Sequence, residues 1–122
     1  MEILSSRVLI RSRDPERARA FYRDVLGLAV HREFPGGTVF FLGQGFLEVS
    51  GHADADPTDA TQLWLQVRDL ARAAEDLAEH VVRPARREPW GLDELWVADP
   101  DGRRIALVEV PADHPLRRDP RQ

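Results

Sequence analysis

Val8-Leu9-Ile10-Arg11-Ser12-Arg13-Asp14 opens one half of the chain, and Leu63-Trp64-Leu65-Gln66-Val67-Arg68-Asp69 opens the other, 55 positions later. The same offset carries His31-Arg32-Glu33 onto Arg86-Arg87-Glu88, and Gly36 onto Gly91. A repeat of this kind marks two copies of one supersecondary unit. A single unit with one bare apolar sheet face is unstable, so two units are expected to share a core.

Each half reads as strand, helix, then three strands. Residues 7–12 alternate, with Val8, Ile10 and Ser12 on one side and Arg7, Leu9 and Arg11 on the other. Asp14-Pro15-Glu16 starts a helix: Asp caps it, Pro suits its first position, and Glu favours its positive end. Ala18, Phe21, Tyr22, Val25 and Leu26 follow at helical spacing, and Gly27 ends the run. Strands are expected over 28–34, 38–42 and 46–50. In the second half, a strand over 62–67 leads to a helix capped by Asp69, with Leu70, Ala73, Leu77 and Val81 inward. Strands over 83–88, 92–98 and 105–110 follow, the last two joined by the turn Asp99-Pro100-Asp101-Gly102. The expected organisation is a module over 1–50, a small polar linker over 51–60, a second module over 61–111 and a mobile tail over 112–122. The fold class is α+β, two βαβββ modules forming a paired, curved mixed-sheet cleft.

Composition narrows the chemistry. The 122 residues contain no cysteine and no lysine, which excludes thiolate nucleophiles, disulfides and lysine Schiff bases. A net charge of −4 opposes a nucleic-acid footprint. The arginine clusters Arg11–Arg23 and Arg83–Arg87 are interleaved with acids and read as solvated faces. No run approaches the ~18 apolar residues of a membrane span, and no signal peptide is visible, so a cytoplasmic protein without membrane or nucleic-acid partners is expected.

The strand faces point to a ligand cleft. Leu63, Leu65 and Val67 lie beneath the helix, which turns Gln62, Trp64 and Gln66 to the other side. The matching residues in the first half are Arg7, Leu9 and Arg11. A sheet face that is polar at its ends and apolar or aromatic in the middle suits a small-molecule site better than a closed core. Phe41 and Trp96, related by the 55-residue offset, are placed on the same faces.

The helix segment Asp14-Pro15-Glu16-Arg17-Ala18-Arg19-Ala20-Phe21-Tyr22 with Val25-Leu26-Gly27-Leu28 resembles the first helix of the vicinal oxygen chelate superfamily. This superfamily holds glyoxalases, bleomycin resistance proteins and extradiol dioxygenases. Trp96-Val97-Ala98-Asp99-Pro100-Asp101-Gly102 with Ile105-Ala106-Leu107 resembles its last hairpin, and the resemblance spans Val8 to Val110. It implies the glyoxalase/bleomycin resistance fold, a homodimer, and four metal-ligand positions in the metal-dependent members. Those positions fall on Arg7, Glu48, Gln62 and Ala106. Guanidinium has no free lone pair and alanine has no donor, so no metal and no other cofactor is expected.

What the resemblance implies for function is therefore a metal-free protein of the bleomycin resistance kind, which sequesters a planar or drug-like molecule and confers antibiotic resistance. Arg7, Leu9, Arg11, Phe41, Glu48, Gln62, Trp64, Gln66 and Trp96 are the candidate ligand-binding residues. An enzyme is the alternative: a lyase, isomerase or dioxygenase with Glu48 as general base or residual metal ligand. A partner module with a vestigial cleft is the third reading. Arg7 and Glu48 either pair with each other as a clamp between sheets or meet a ligand. The aromatic residues either pack or stack on a ligand. Trp90 reads as a lid or a dimer contact, and the four histidines read as surface residues.

Overall fold

The computed structural model describes residues 1–51 and 62–115. The expected linker falls outside them except at Gly51, and so does the end of the expected tail. The chain divides into two compact units, Met1–Pro57 and Thr58–Gln122. Each holds a four-stranded mixed sheet, so the α+β reading with two βαβββ modules is what the protein adopts. Among the described residues no helix is long and apolar enough to cross a membrane.

In the first unit, β1 (Arg7–Arg11) leads into α1 (Pro15–Ala20), which widens into a π-type turn over Phe21–Val25. Strands β2 (Val30–Phe34), β3 (Gly37–Leu42) and β4 (Gly45–Ser50) follow. The sheet order is β1-β4-β3-β2, with β1 parallel to β4 and the other pairs antiparallel. Asp14 caps α1 through the Arg17 N–H at 3.1 Å, and Pro15 occupies a first-turn position. Ala18, Phe21 and Tyr22 are buried on the helix side, as are Ile10, Phe40, Leu47 and Val49 of the sheet. Phe21 meets Tyr22 edge-on, with ring centres 5.2 Å apart. Burial of such side chains supplies about 1.5–3 kcal/mol each against the unfolded chain. Gly27 has φ 74°, a left-handed conformation that releases the chain toward β2.

In the second unit, β5 (Leu63–Gln66) precedes α2 (Leu70–Asp76) and a 3-10 turn over Ala78–His80. Strands β6 (Val81–Arg87), β7 (Asp93–Ala98) and β8 (Arg104–Glu109) complete it in the order β5-β8-β7-β6. Asp69 caps α2 through the Arg72 N–H at 3.0 Å, and Glu109 of β8 accepts the Leu70 N–H at 2.9 Å. Leu63, Ile105, Val97, Leu95 and Leu107 form the buried rows on the side where α2 packs. Asp99 organises the β7–β8 turn by accepting the N–H groups of Asp101 and Arg103.

The repeat holds its 55-residue offset only through the first strand and helix cap. The cross-strand register makes Arg83 the counterpart of Arg32, Trp96 the counterpart of Val39, and Ala106 the counterpart of Glu48. The reason is local. The first unit inserts Leu26–Ala29 between helix and strand, whereas Val81 follows the 3-10 turn directly. The second unit then has the longer β6 and the longer loop before β7. Phe41 is thereby the counterpart of Ala98 and not of Trp96. The triplet His31-Arg32-Glu33 does not superpose on Arg86-Arg87-Glu88.

Candidate functional site

Each sheet has a face away from its helix, and the candidate residues gather there. In the first unit, register places Arg7, Phe46 and Phe41 in one row, Leu9, Glu48, Val39 and Arg32 in the next, and Arg11 with Ser50 in a third. Arg7 Nη1 donates to Glu48 Oε1 at 2.8 Å. The two belong to neighbouring strands of one sheet, so the pair braces β1 against β4 and is not a clamp between sheets. Leu9 is 60% exposed and Phe41 46% exposed beside this pair. His31, read from sequence as a plain surface histidine, lies 4.8 Å from the ring centres of both Phe41 and Phe46. The bulge between Val30 and Arg32 turns it there, and no sequence pattern announces a bulge.

The second open face is built differently. Trp64 is 46% exposed on β5, flanked by exposed Gln62 and Gln66. Its register neighbour Ala106 is buried with Leu92, Val108 and Val110 in an apolar cluster against which Trp96 packs. The Trp96 ring is already covered: the Arg83 guanidinium lies 3.8 Å from its centre and that of Arg104 4.3 Å. Arg104 Nε in turn donates to Gln62 Oε1 at 2.6 Å.

Arg83 and Glu88 correct the reading of the Arg83–Arg87 run as a solvated face. The Glu88 side chain is 2% exposed and is shared by Arg83 and Arg86. Burial pushes the Glu88 carboxyl up, but the hydrogen bonds and charges of Arg86 and Arg83 outweigh it, and the net shift is downward. Arg83 Nη2 also donates to the Glu94 carbonyl at 3.2 Å, while its Nε and Nη1 are buried without a hydrogen-bond partner. Glu94 accepts the indole N–H groups of Trp90 at 2.8 Å and Trp96 at 3.3 Å. Trp90 is thus tethered by its nitrogen while the residue stays 57% exposed. His114 Nε2 lies 3.2 Å from the Trp90 carbonyl, so the start of the expected mobile tail is held against the same loop.

A recess of about 260 Å³ opens in the first unit beside α1, lined in part by Pro15, Glu16, Arg19 and Glu33. Its charged groups are paired with one another, Arg19 with both Glu16 and Glu33. None of the sequence-derived candidates lines it.

The sequence profile of the Glyoxalase/Bleomycin resistance protein/Dioxygenase superfamily matches residues 5–107. The chain belongs to this superfamily. No curated protein matches it. Among solved structures, a protein of unknown function from Agrobacterium tumefaciens str. C58 aligns with a TM-score of 0.73 at 23% identity, over 91% of this chain and 95% of that one. A lactoylglutathione lyase from Agrobacterium tumefaciens aligns with a TM-score of 0.66 at 24% identity, over 84% and 90%. A glyoxalase/bleomycin resistance protein/dioxygenase from Alicyclobacillus acidocaldarius gives 0.71 at 15% identity, over 87% and 90%. At these identities the likeness is one of fold.

The ligand positions of the superfamily's metal-dependent members do not fit a metal here. Arg7 holds one oxygen of Glu48 with a cationic group, and Ala106 sits inside an apolar cluster against an indole. Gln62 already accepts from Arg104. Among the described residues no group of three or more His, Cys, Asp or Glu side chains is placed to hold an ion.

Proposed function

We propose that this superfamily member binds and sequesters a small planar organic molecule without a metal, as the bleomycin resistance branch name suggests. The observation that carries this reading is the Arg7–Glu48 ion pair at two superfamily ligand positions, with exposed Leu9 and Phe41 alongside. An ion pair flanked by bare apolar surface offers polar orientation and stacking area together, which is the composition of ligand sites. The proposed contact residues are Arg7, Leu9, Arg11, Phe41 and Glu48 on the open face of the first unit, and Gln62, Trp64 and Gln66 on that of the second. Trp96 serves as a platform for arginines, its ring being covered. A homodimer belongs to the same proposal, and sedimentation at several concentrations tests it.

The ion pair also supports a second reading. Glu48 could remove a proton alpha to a carbonyl while Arg7 stabilises the oxyanion. A thermal-shift panel of planar aromatic compounds, drug-like molecules, carbonyl metabolites and divalent cations separates the readings. A ligand that binds only the folded chain raises the midpoint, by about 2.7 kcal/mol of stabilisation at a hundredfold excess over Kd. Sequestration predicts a hit that is recovered unchanged and that Trp64→Ala and Glu48→Ala weaken. Chemical conversion of the hit, lost in Glu48→Gln, selects the enzyme reading. A stoichiometric, tightly held cation overturns the metal-free reading. A panel without hits, combined with concentration-dependent association, favours an interaction module.

A further inference from the structure

Among the arginines of β6, β8 and the turn before β8, Arg104 stands apart. Arg83 and Arg86 share the Glu88 carboxylate, Arg87 pairs with Asp93, and Arg103 pairs with Asp99. Among the described residues Arg104 has a neutral hydrogen-bond partner, the side-chain oxygen of Gln62, and no carboxylate. Both oxygens of nearby Glu94 are taken by indole N–H groups. Among the described residues, the open face around Trp96 therefore carries Arg83, Arg86 and Arg104 against Glu88 and Glu94, an excess of one positive charge. Two guanidiniums, those of Arg83 and Arg104, lie within 4.3 Å of one ring centre.

A guanidinium held over an aromatic ring by its charge keeps its N–H groups for other acceptors. Gln62 takes the Nε corner of Arg104 and orients the remaining edge. That edge matches a carboxylate or phosphate, which accepts two parallel charge-assisted hydrogen bonds. Arg104 is only half-buried, so an anion can reach it, whereas Arg83 is held beneath Glu88.

We propose that Arg104, stacked on Trp96 and steered by Gln62, is an oxyanion-binding residue, and that the ligand of this protein carries a carboxylate or phosphate group. The inference rests on the small-molecule reading above and supplies its ligand class. Arg83 is a positioning residue: it shares the indole with Arg104 and adds to the positive field, while an anion neutralises the excess.

The test is titration of the full chain with benzoate, phenyl phosphate and neutral benzamide, read by tryptophan fluorescence and calorimetry. At least one anion is expected to bind about tenfold or more tightly than benzamide, and the stronger of the two anions names the group. Arg104→Gln is expected to lose about tenfold in affinity for that anion and to leave benzamide unchanged, and Arg104→Lys to keep part of the loss back. Near-ultraviolet circular dichroism confirms that each variant is folded. Equal affinity for benzamide and the anions overturns the proposal and leaves small-molecule binding standing. Unchanged anion affinity in Arg104→Gln, with only a lower melting midpoint, also overturns it and makes Arg104 a structural strut. Failure of these three probes and of the whole compound panel sinks this proposal and the binding reading together.

Discussion

The open faces of the two sheets share a backbone register and differ in what fills it. Where the first unit has Glu48 beside Val39, the second has Ala106 beside Trp96. Where the first has Arg7 paired to an acid, the second has Gln62 paired to an arginine. Ser50 of the first corresponds to Val108 of the second. The first face is a charged pair with Leu9 and Phe41 exposed beside it and Val39 buried. The second is an apolar cluster roofed by an indole and its arginines, with carboxylates buried beneath. One fold thus supports two chemistries, because the backbone hydrogen bonds of a sheet do not depend on which side chains occupy a face. Glu48 on the first face and Gln62 on the second keep donor oxygens, but each already accepts from an arginine.

The largest expected effect comes from charging the apolar cluster of the second face. Val108→Asp buries a carboxylate in the apolar cluster and directly opposite Glu94, and is expected to cost about 3 kcal/mol or more in urea unfolding. Ser50→Asp, at the equivalent place, is expected to cost under about 1 kcal/mol. Similar losses at both sites would mean that the two faces are equally closed. Trp96→Ala removes the roof and the ring beneath two guanidiniums, with an expected loss of about 2 kcal/mol for a half-buried indole. A near-neutral effect would show that the arginines find new partners without it.

Acid should act on the second face through Glu88. Its folded carboxyl is held below the ordinary 4.5 by Arg86 and Arg83, despite burial. A depressed folded value stabilises the protein above the unfolded value and is lost as pH falls through the folded one. Urea midpoints from about pH 7 down to about pH 3 should therefore fall less steeply in Glu88→Gln than in the parent chain. Parallel profiles would remove Glu88 from the account of acid sensitivity. The smallest expected effect lies on the first face. Glu48→Ala breaks a pair whose arginine is 37% exposed, and should cost no more than about 1 kcal/mol. A larger loss would mark the pair as a structural brace before it is a ligand contact.

Much of the scaffold was legible because its signals are local. Asp14-Pro15, Asp69, Gly27 and the Asp99–Gly102 turn each act within a few residues, and each does in the structure what its chemistry requires. The alternation of Leu63, Leu65 and Val67 with Gln62, Trp64 and Gln66 likewise told the helix side from the open side. The site was less legible. His31 joins two phenylalanines, Arg83 lies over the Trp96 ring and Glu88 is buried, all through bulges or cross-strand neighbours more than ten residues away in several cases. A uniform repeat offset cannot see such shifts, since register is set by pairing between strands and by loop length.

The sequence by itself determined two βαβββ modules, their helix caps and turns, and their superfamily, and it places a cationic side chain at position 7 and a methyl group at 106. Those properties depend on residue type and short-range spacing. Only the tertiary structure decided that Arg7 bonds Glu48 within one sheet, that Trp96 carries arginines on its ring, and that Arg104 meets a neutral partner. Which charges end up paired depends on side chains brought together across strands, and distance in space is not written in distance along the chain.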